Sequence, residues 1–322
     1  RLASRPFRTR GHPQRRLESR TIMPLHCPRY RIGLAANRAH QDAADSALVR
    51  LFQGGQAAIE NHLQPQFVVV GRTLDAILSH GLLPHYPSIE RFPYGREGGL
   101  MMLVSRVVES DPAKALDAVI YLMDPLDPSS NFPEALALKR QCVIHGKPFL
   151  STLAGAREWL ELEAAAVGAA PDATLDSTFD LANESIALIA HDAMKGCMLA
   201  LAERHFALLD SFAMRCATGT TGGLLNQLAQ KIKGEKAGRN WVRPFRSGPL
   251  GGDAQIAELI LNRQCRRVLF LEDPHVARQH EADIQLLERA ARTVTDYASC
   301  SSDVKGVERW LNLLALRCKR VS

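Results

Sequence analysis

Four short clusters in the second half of the chain bring together residue types that bind anions and move protons. The first is His191-Asp192-Ala193-Met194-Lys195. If a helix begins near Asp192, His191 and Lys195 project from one side of its first turn, and the lysine faces whatever anion occupies the helix N-terminus. An Asp N-cap followed by a surface lysine is the other reading of these five residues. The second cluster is Thr218-Gly219-Thr220-Thr221-Gly222-Gly223, directly before the helical pattern LLNQLAQ. Hydroxyls beside glycines that let the backbone come close suit a phosphate, because free N–H groups at a helix N-terminus attract anions. Plain threonine capping is the alternative. The third, Ser247-Gly248-Pro249-Leu250-Gly251-Gly252-Asp253, holds one carboxylate at a helix start on a tight Gly/Pro backbone. The fourth is Asp273-Pro274-His275 followed by His280 and Asp283. A His and an Asp three apart share a helical face and can act together in a pocket.

These clusters follow short β-rich runs and precede amphipathic ones. The spacing predicts strands at Ser185–Ala190, Ser211–Ala217, Arg267–Leu271 and Thr293–Tyr297, and helices at Met194–Leu209, Ala254–Asn262 and Ala282–Arg292. Such alternation gives an α/β fold, a parallel sheet with helices on both faces. In sheets of this kind ligands bind beyond the carboxyl ends of the strands, where all four clusters fall.

The chain repeats itself weakly at an offset of about 150 residues. RIGLAANRAH from Arg31 answers SIALIAHDAM from Ser185, and FVVVGRTLDAIL from Phe67 answers MRCATGTTGGLL from Met214. GREGG at Gly95 answers GPLGG at Gly248, AVIYLMDPLD at Ala118 answers RVLFLEDPHV at Arg267, and AREWLELE at Ala156 answers VERWLNLL at Val307. Matches in one order at so long a period mean a duplicated domain, not a solenoid. The expected organisation is a basic, disordered tail over 1–28, a first domain over 29–163, an Ala/Gly/Pro-rich linker over 164–182 and a second domain over 183–322.

The net charge of +6 invites a nucleic-acid reading, yet residues 1–22 alone, with seven arginines and Glu18, account for it. Such a tail reads as a nucleic-acid arm or a transit peptide. Because a Met23-Pro24 start follows it, upstream sequence is the expected explanation. Nucleic acid is therefore not an expected partner. No apolar run approaches the roughly 20 residues that span a bilayer, so no membrane is expected either. Seven scattered cysteines without a CxxC pair fit reduced thiols in the cytoplasm better than disulfides or a metal site.

Taken together, HDxxK, TGTTG, SGPxGGDxQ and DPx(5)HxxD resemble methylglyoxal synthase in order and spacing, over Ser185 to Leu314. The resemblance implies two tandem flavodoxin-like/Rossmann-like parallel-sheet domains. It implies a lyase that converts dihydroxyacetone phosphate to methylglyoxal and phosphate without metal or organic cofactor, usually as a homohexamer and with inorganic phosphate as an expected inhibitor. It further implies that Asp253 is the catalytic carboxylate, and that Lys195, Thr218, Gly219, Thr220, Thr221, Ser247 and Gly248 cradle the substrate phosphate. His191 and His280 would contact substrate, with Asp192 and Asp283 as supporting carboxylates. Triosephosphate isomerase handles the same substrate with a Glu base and a neutral His on the carbonyl. His280 is the expected electrophile here.

Some stretches depart from this pattern. The loop from Lys231 to Arg246 carries six basic residues against Glu235 and reads as solvated surface. The family usually continues past Trp310 with an arginine that reaches a neighbouring subunit's site, for which Arg317 and Arg320 are candidates. In the first half HD becomes Asn37-Arg38, Lys195 becomes Gln41, TGTTG becomes Val70-Gly71-Arg72-Thr73-Leu74 and Asp253 becomes Leu100. Asn131 and Glu134 stand for His280 and Asp283. A site with leucine for its base cannot run the reaction, although Arg72 and Arg96 could hold an anion. The rival expectation is a non-catalytic phosphate- or metabolite-binding regulatory protein, since the same fold serves as an allosteric module in carbamoyl phosphate synthetase. A homo-oligomer is expected, with three tandem chains rebuilding a six-domain ring.

Overall fold

A computed structural model describes residues 30–275 and 281–321; the expected tail and His280 lie outside the described residues. The first half runs β1 (Arg31–Ala36), α1 (Ala47–Ala57), β2 (Gln66–Val70), α2 (Gly71–Ser79), β3 (Ile89–Phe92), α3 (Gly99–Val108), β4 (Ala118–Leu122), α4 (Pro133–His145), β5 (Phe149–Leu150) and α5 (Leu153–Ala166). The second runs β6 (Ser185–Ala190), α6 (Lys195–Arg204), α7 (Phe206–Asp210), β7 (Met214–Ala217), α8 (Gly219–Lys233), α9 (Glu235–Gly238), β8 (Arg243–Pro244), α10 (Gly252–Leu261), β9 (Arg267–Leu271), α11 (Glu281–Thr293), β10 (Ser299–Ser301) and α12 (Val304–Val321).

Each half folds around its own five-stranded sheet, and every strand pair is parallel. The orders are β3-β2-β1-β4-β5 and β8-β7-β6-β9-β10, which are the same order in the two halves. This is the 3-2-1-4-5 order of a doubly wound, Rossmann-like sheet, and the order reverses between β1 and β4 and between β6 and β9. The central strands are apolar throughout because both faces are covered. Alternate residues of β1 go to opposite cores: Ile32 and Leu34 pack with Leu48 of α1 and Leu160 of α5, whereas Ala35 packs with Leu103 of α3 and Leu138 of α4. In the second half Leu188 meets Met198 of α6 and Leu311 of α12, and Ile189 meets Ile256 of α10 and Leu287 of α11.

Several elements differ from expectation for identifiable reasons. The β-branched run at Thr293–Tyr297 is not a strand. α11 extends to Thr293, and Thr295 uses its carbonyl and hydroxyl to accept from Ala154 N and Leu153 N at 2.8 and 3.0 Å. The fifth strand follows at Ser299. The six basic residues of the Lys231–Arg246 stretch are exposed, as expected, but the stretch is not a free loop: it carries the end of α8, all of α9 and the edge strand β8, pinned by buried Trp241, whose indole N–H donates to Asp210 at 2.8 Å. The 164–182 stretch is packed: Arg267 donates to Thr178 O at 2.6 Å, and Arg320 donates to Ala165 O and Ala169 O at 2.8 and 3.3 Å.

The halves meet where α5 lies along α12 and β5 adjoins β10. Here charged groups are buried in pairs. Arg267, only 1% exposed, bonds Glu158 at 2.8 Å, and Arg317, equally buried, bonds Glu161 at 2.8 Å and Asp176 at 2.6 Å. Arg317 is thus spent inside its own chain, which corrects the expectation that it reaches a neighbour's site, whereas Arg320 stays exposed while donating to the Ala165 and Ala169 carbonyls. Beside them Lys139 of α4 bonds Glu272 and Glu288 at 2.6 and 2.7 Å. Burial alone would depress its ammonium, but the two carboxylates hold it above its usual value.

Candidate active site

β6 ends at Ala190, and the backbone N–H of His191 then bonds Leu271 O at 3.1 Å, tying the loop to the strand across the point where the order reverses. From β9, Asp273 N–H donates to His191 Nδ1 at 2.9 Å. Nδ1 therefore carries a lone pair, which makes the imidazole neutral and puts its proton on Nε2. The ring also meets Phe270 edge-on, with centroids 5.0 Å apart. Asp192–Met194 form a 3₁₀ turn, and Lys195 opens α6. Lys195 Nζ pairs with the Asp192 carboxylate. The Asp192 side chain is almost wholly exposed and that of Lys195 mostly covered.

β7 leads through buried Thr218 into α8. Gly219 N–H donates to Arg246 O at 3.0 Å, and a Cβ on Gly219 would stand 2.9 Å from Ser247 Cα. The second and third clusters are in contact through bare backbone. Thr221 is buried and Thr220 exposed. In the third cluster Ser247 O accepts from Leu250 N and Gly252 N at 2.9 and 3.0 Å. Gly251 turns at φ +91°, where an L side chain is strained, and a Cβ on Gly252 would fall 1.9 Å from Arg246 O. This turn delivers Asp253 to the first turn of α10, 7% exposed, with its carboxylate against Gly248, where a Cβ would stand 2.6 Å from Oδ2. A helix N-terminus favours a carboxylate there, and burial strips water from it. Asp283 belongs to α11; His280 lies outside the described residues.

The first half repeats this frame bond for bond. Asn37 N donates to Leu122 O at 2.8 Å, and Asp124 N donates to Asn37 Oδ1 at 2.9 Å, so the amide oxygen occupies the acceptor's place held by His191 Nδ1. Gly71 N bonds Pro93 O at 3.1 Å as Gly219 N bonds Arg246 O. Gly99 N bonds Tyr94 O at 3.0 Å, Gly98 turns at φ +94°, and a Cβ on Gly99 would meet Pro93 O at 2.1 Å. Leu100 stands at the station of Asp253, buried. Sequence reasoning missed the shared acceptor. Its only signal was a polar side chain after each first strand, paired with a DP dipeptide after the fourth.

No family model matches the chain. Among curated proteins it is similar to the methylglyoxal synthase of Agrobacterium fabrum, 40% identical over 111 residues that cover 34% of this chain and 80% of that protein. The corresponding figures are 44% over 108 residues, 33% and 70%, for that of Ralstonia nicotianae. For that of Clostridioides difficile they are 35% over 130 residues, 39% and 88%. The crystal structure of methylglyoxal synthase from Elizabethkingia anophelis is 30% identical and covers 40% of this chain and 78% of that chain, with a TM-score of 0.32. Among the described residues no helix is long and apolar enough to cross a membrane. Through a stretch that amounts to about a third of its length, the chain belongs to the methylglyoxal synthase family.

Proposed function

We propose that the second half converts dihydroxyacetone phosphate to methylglyoxal and inorganic phosphate. The observation that carries the reading is Asp253, a buried carboxylate held by a glycine-rich turn against the backbone that also meets the TGTTG helix start. Asp253 removes a proton from the hydroxymethyl carbon beside the ketone, for which a carboxylate needs desolvation and exact placement. Lys195, with Asp192 holding its ammonium, the hydroxyls of Thr218, Thr220 and Thr221, and the Gly219 and Ser247–Gly248 backbone bind the phosphate. His191, neutral with its proton on Nε2, and His280 contact the substrate oxygens, and Asp283 supports His280. When the C–O(P) bond is held perpendicular to the enediolate plane, the π electrons expel phosphate; held in that plane, elimination is stereoelectronically closed.

Incubation with dihydroxyacetone phosphate should release methylglyoxal and phosphate in equal amounts, with inorganic phosphate competing. Tight phosphate binding with neither product formed would leave a binding protein instead. The working form in this reading is a homo-oligomer of tandem chains; light scattering should report a trimer mass, and a monomer mass would overturn it.

A further inference from the structure

A cavity of about 920 Å³ lies in the half that lacks the base. It sits at the carboxyl ends of β1, β2 and β4, in the crevice where the strand order reverses. We propose that this cavity is a second ligand site, for a phosphate monoester with a hydroxyl-bearing body, which it binds without turning it over. The size suits an organic ligand better than a lone phosphate, since small-molecule pockets run to roughly 300–1,000 Å³.

The positive charge at the anion end has been moved. Position 41, the counterpart of Lys195, is a glutamine only 2% exposed. Its amide N–H groups go to Ala36 O at 2.6 Å and Thr73 Oγ1 at 3.2 Å, and its oxygen accepts from Arg72 Nε at 3.2 Å. The buried amide thus braces a guanidinium that the catalytic half does not have, because its counterpart there is Thr220. Arg38 and Arg96 line the same cavity.

Four carboxylates also line it, and two are already committed. Asp75 is held by Arg91 and the Tyr94 hydroxyl, both at 2.8 Å, which keep it below the usual carboxylate range. Asp127 accepts from Ser129 N, Ser129 Oγ and Asn37 Nδ2 at 2.9, 2.7 and 3.1 Å. Asp42 stands loosely between Arg38 and Arg72, at 3.5 and 3.6 Å, exposed enough for an incoming anion to displace it. Glu134 lines the cavity from α4, and Asn37, Tyr121 and Ser129 line it as well. One wall is therefore cationic, and the other carries acceptors and donors suited to hydroxyl groups. Leu100, at the station of the base, supplies an inert floor.

Calorimetry on the full chain with ribose 5-phosphate, ribose and inorganic phosphate tests this. Ribose 5-phosphate should bind tightest, bind equally well to Lys195→Ala, and lose at least tenfold in affinity in Arg72→Ala, a half-exposed position whose variant should keep its fold. Turnover of dihydroxyacetone phosphate by Arg72→Ala should equal that of the unaltered chain, so this result is independent of the second half's activity. Absence of ribose 5-phosphate binding, or binding that survives Arg72→Ala or disappears in Lys195→Ala, overturns the proposal. Inorganic phosphate binding as tightly as the sugar phosphate overturns the hydroxyl-bearing body.

Discussion

The two halves hold the same loops in the same places with different side chains. Asn37 and His191 both accept the N–H that follows the DP dipeptide's strand, and Gly98 and Gly251 make the same left-handed turn. Yet Gln41 stands for Lys195, Arg72 for Thr220 and Leu100 for Asp253. The difference separates what the fold needs from what chemistry needs. Glycines and strand-end acceptors close the sheet's carboxyl edge in both halves, so they say little about activity. The lysine, the Thr218 and Thr220 hydroxyls and the aspartate occur in one half only, whereas Thr73 keeps the hydroxyl of Thr221, and the proposed reaction rests on the groups that differ.

The largest expected effect attacks that distinction directly. Asp253→Asn should lower kcat by about 100- to 10,000-fold, the usual contribution of a positioned acid or base, with phosphate affinity nearly unchanged. Leu100→Asp should create no activity in the first half, because the lysine and the Thr218 and Thr220 hydroxyls have no counterpart there. Both are read from methylglyoxal formation. Turnover near the original in Asp253→Asn would remove that residue as the base, and activity gained through Leu100→Asp would show that the first half lacks only its carboxylate.

The contact between halves is next in size. Lys139 of the first half lies between Glu272 and Glu288 of the second, all three nearly sealed from water. Lys139→Met leaves Glu272 without its counter-ion and Glu288 with Arg292 alone, and should cost about 3–5 kcal/mol, measured by urea unfolding. Adding Glu272→Gln should recover part of that loss. An unchanged midpoint would mean that the ion cluster does not hold the halves together.

Much of the fold was legible in the sequence where patterns are local. Ser185–Ala190 and Arg267–Leu271 each open on a polar residue and continue as apolar runs of five and four residues, and both are strands. The left-handed turn before Asp253 follows from its glycine pair. What was not legible depends on partners distant in sequence. Thr293–Tyr297 has β-branched residues, but Thr295 is committed to the start of α5. Arg317 reads as a free cation until α5 and the 164–182 stretch close over it. The Lys231–Arg246 stretch hides a two-residue edge strand, too short for any periodicity to register.

The phosphate end of the comparison comes third. Lys195→Ala should weaken both substrate and inorganic phosphate by roughly 1.5–3 kcal/mol, the worth of a charge-assisted contact. Gln41→Ala, at the matching station, should leave phosphate inhibition of turnover unchanged. Steady-state inhibition curves separate the two, and unchanged inhibition in Lys195→Ala would detach that lysine from the phosphate.

The smallest effect concerns the two helices that join the halves. α5 is capped by Thr152, which accepts from Gly155 N at 3.1 Å, and α12 by Asp303, which accepts from Gly306 N at 2.5 Å. The positions correspond, but only one titrates. Burial raises the Asp303 carboxyl to about 6 from 3.8. The folded chain then binds a proton that the unfolded chain releases at lower pH, so this group favours folding in acid and loses that contribution as pH rises through 6. Asp303→Asn keeps an acceptor for the cap and removes the titration. Relative to the original chain it should gain about 1 kcal/mol between pH 5 and pH 7. Thr152→Ala should instead cost about 1 kcal/mol at both values, the ordinary worth of an N-cap. Urea midpoints at the two pH values read both variants. A pH-independent difference for Asp303→Asn would mean that its carboxylate is better solvated in the folded chain than its burial implies.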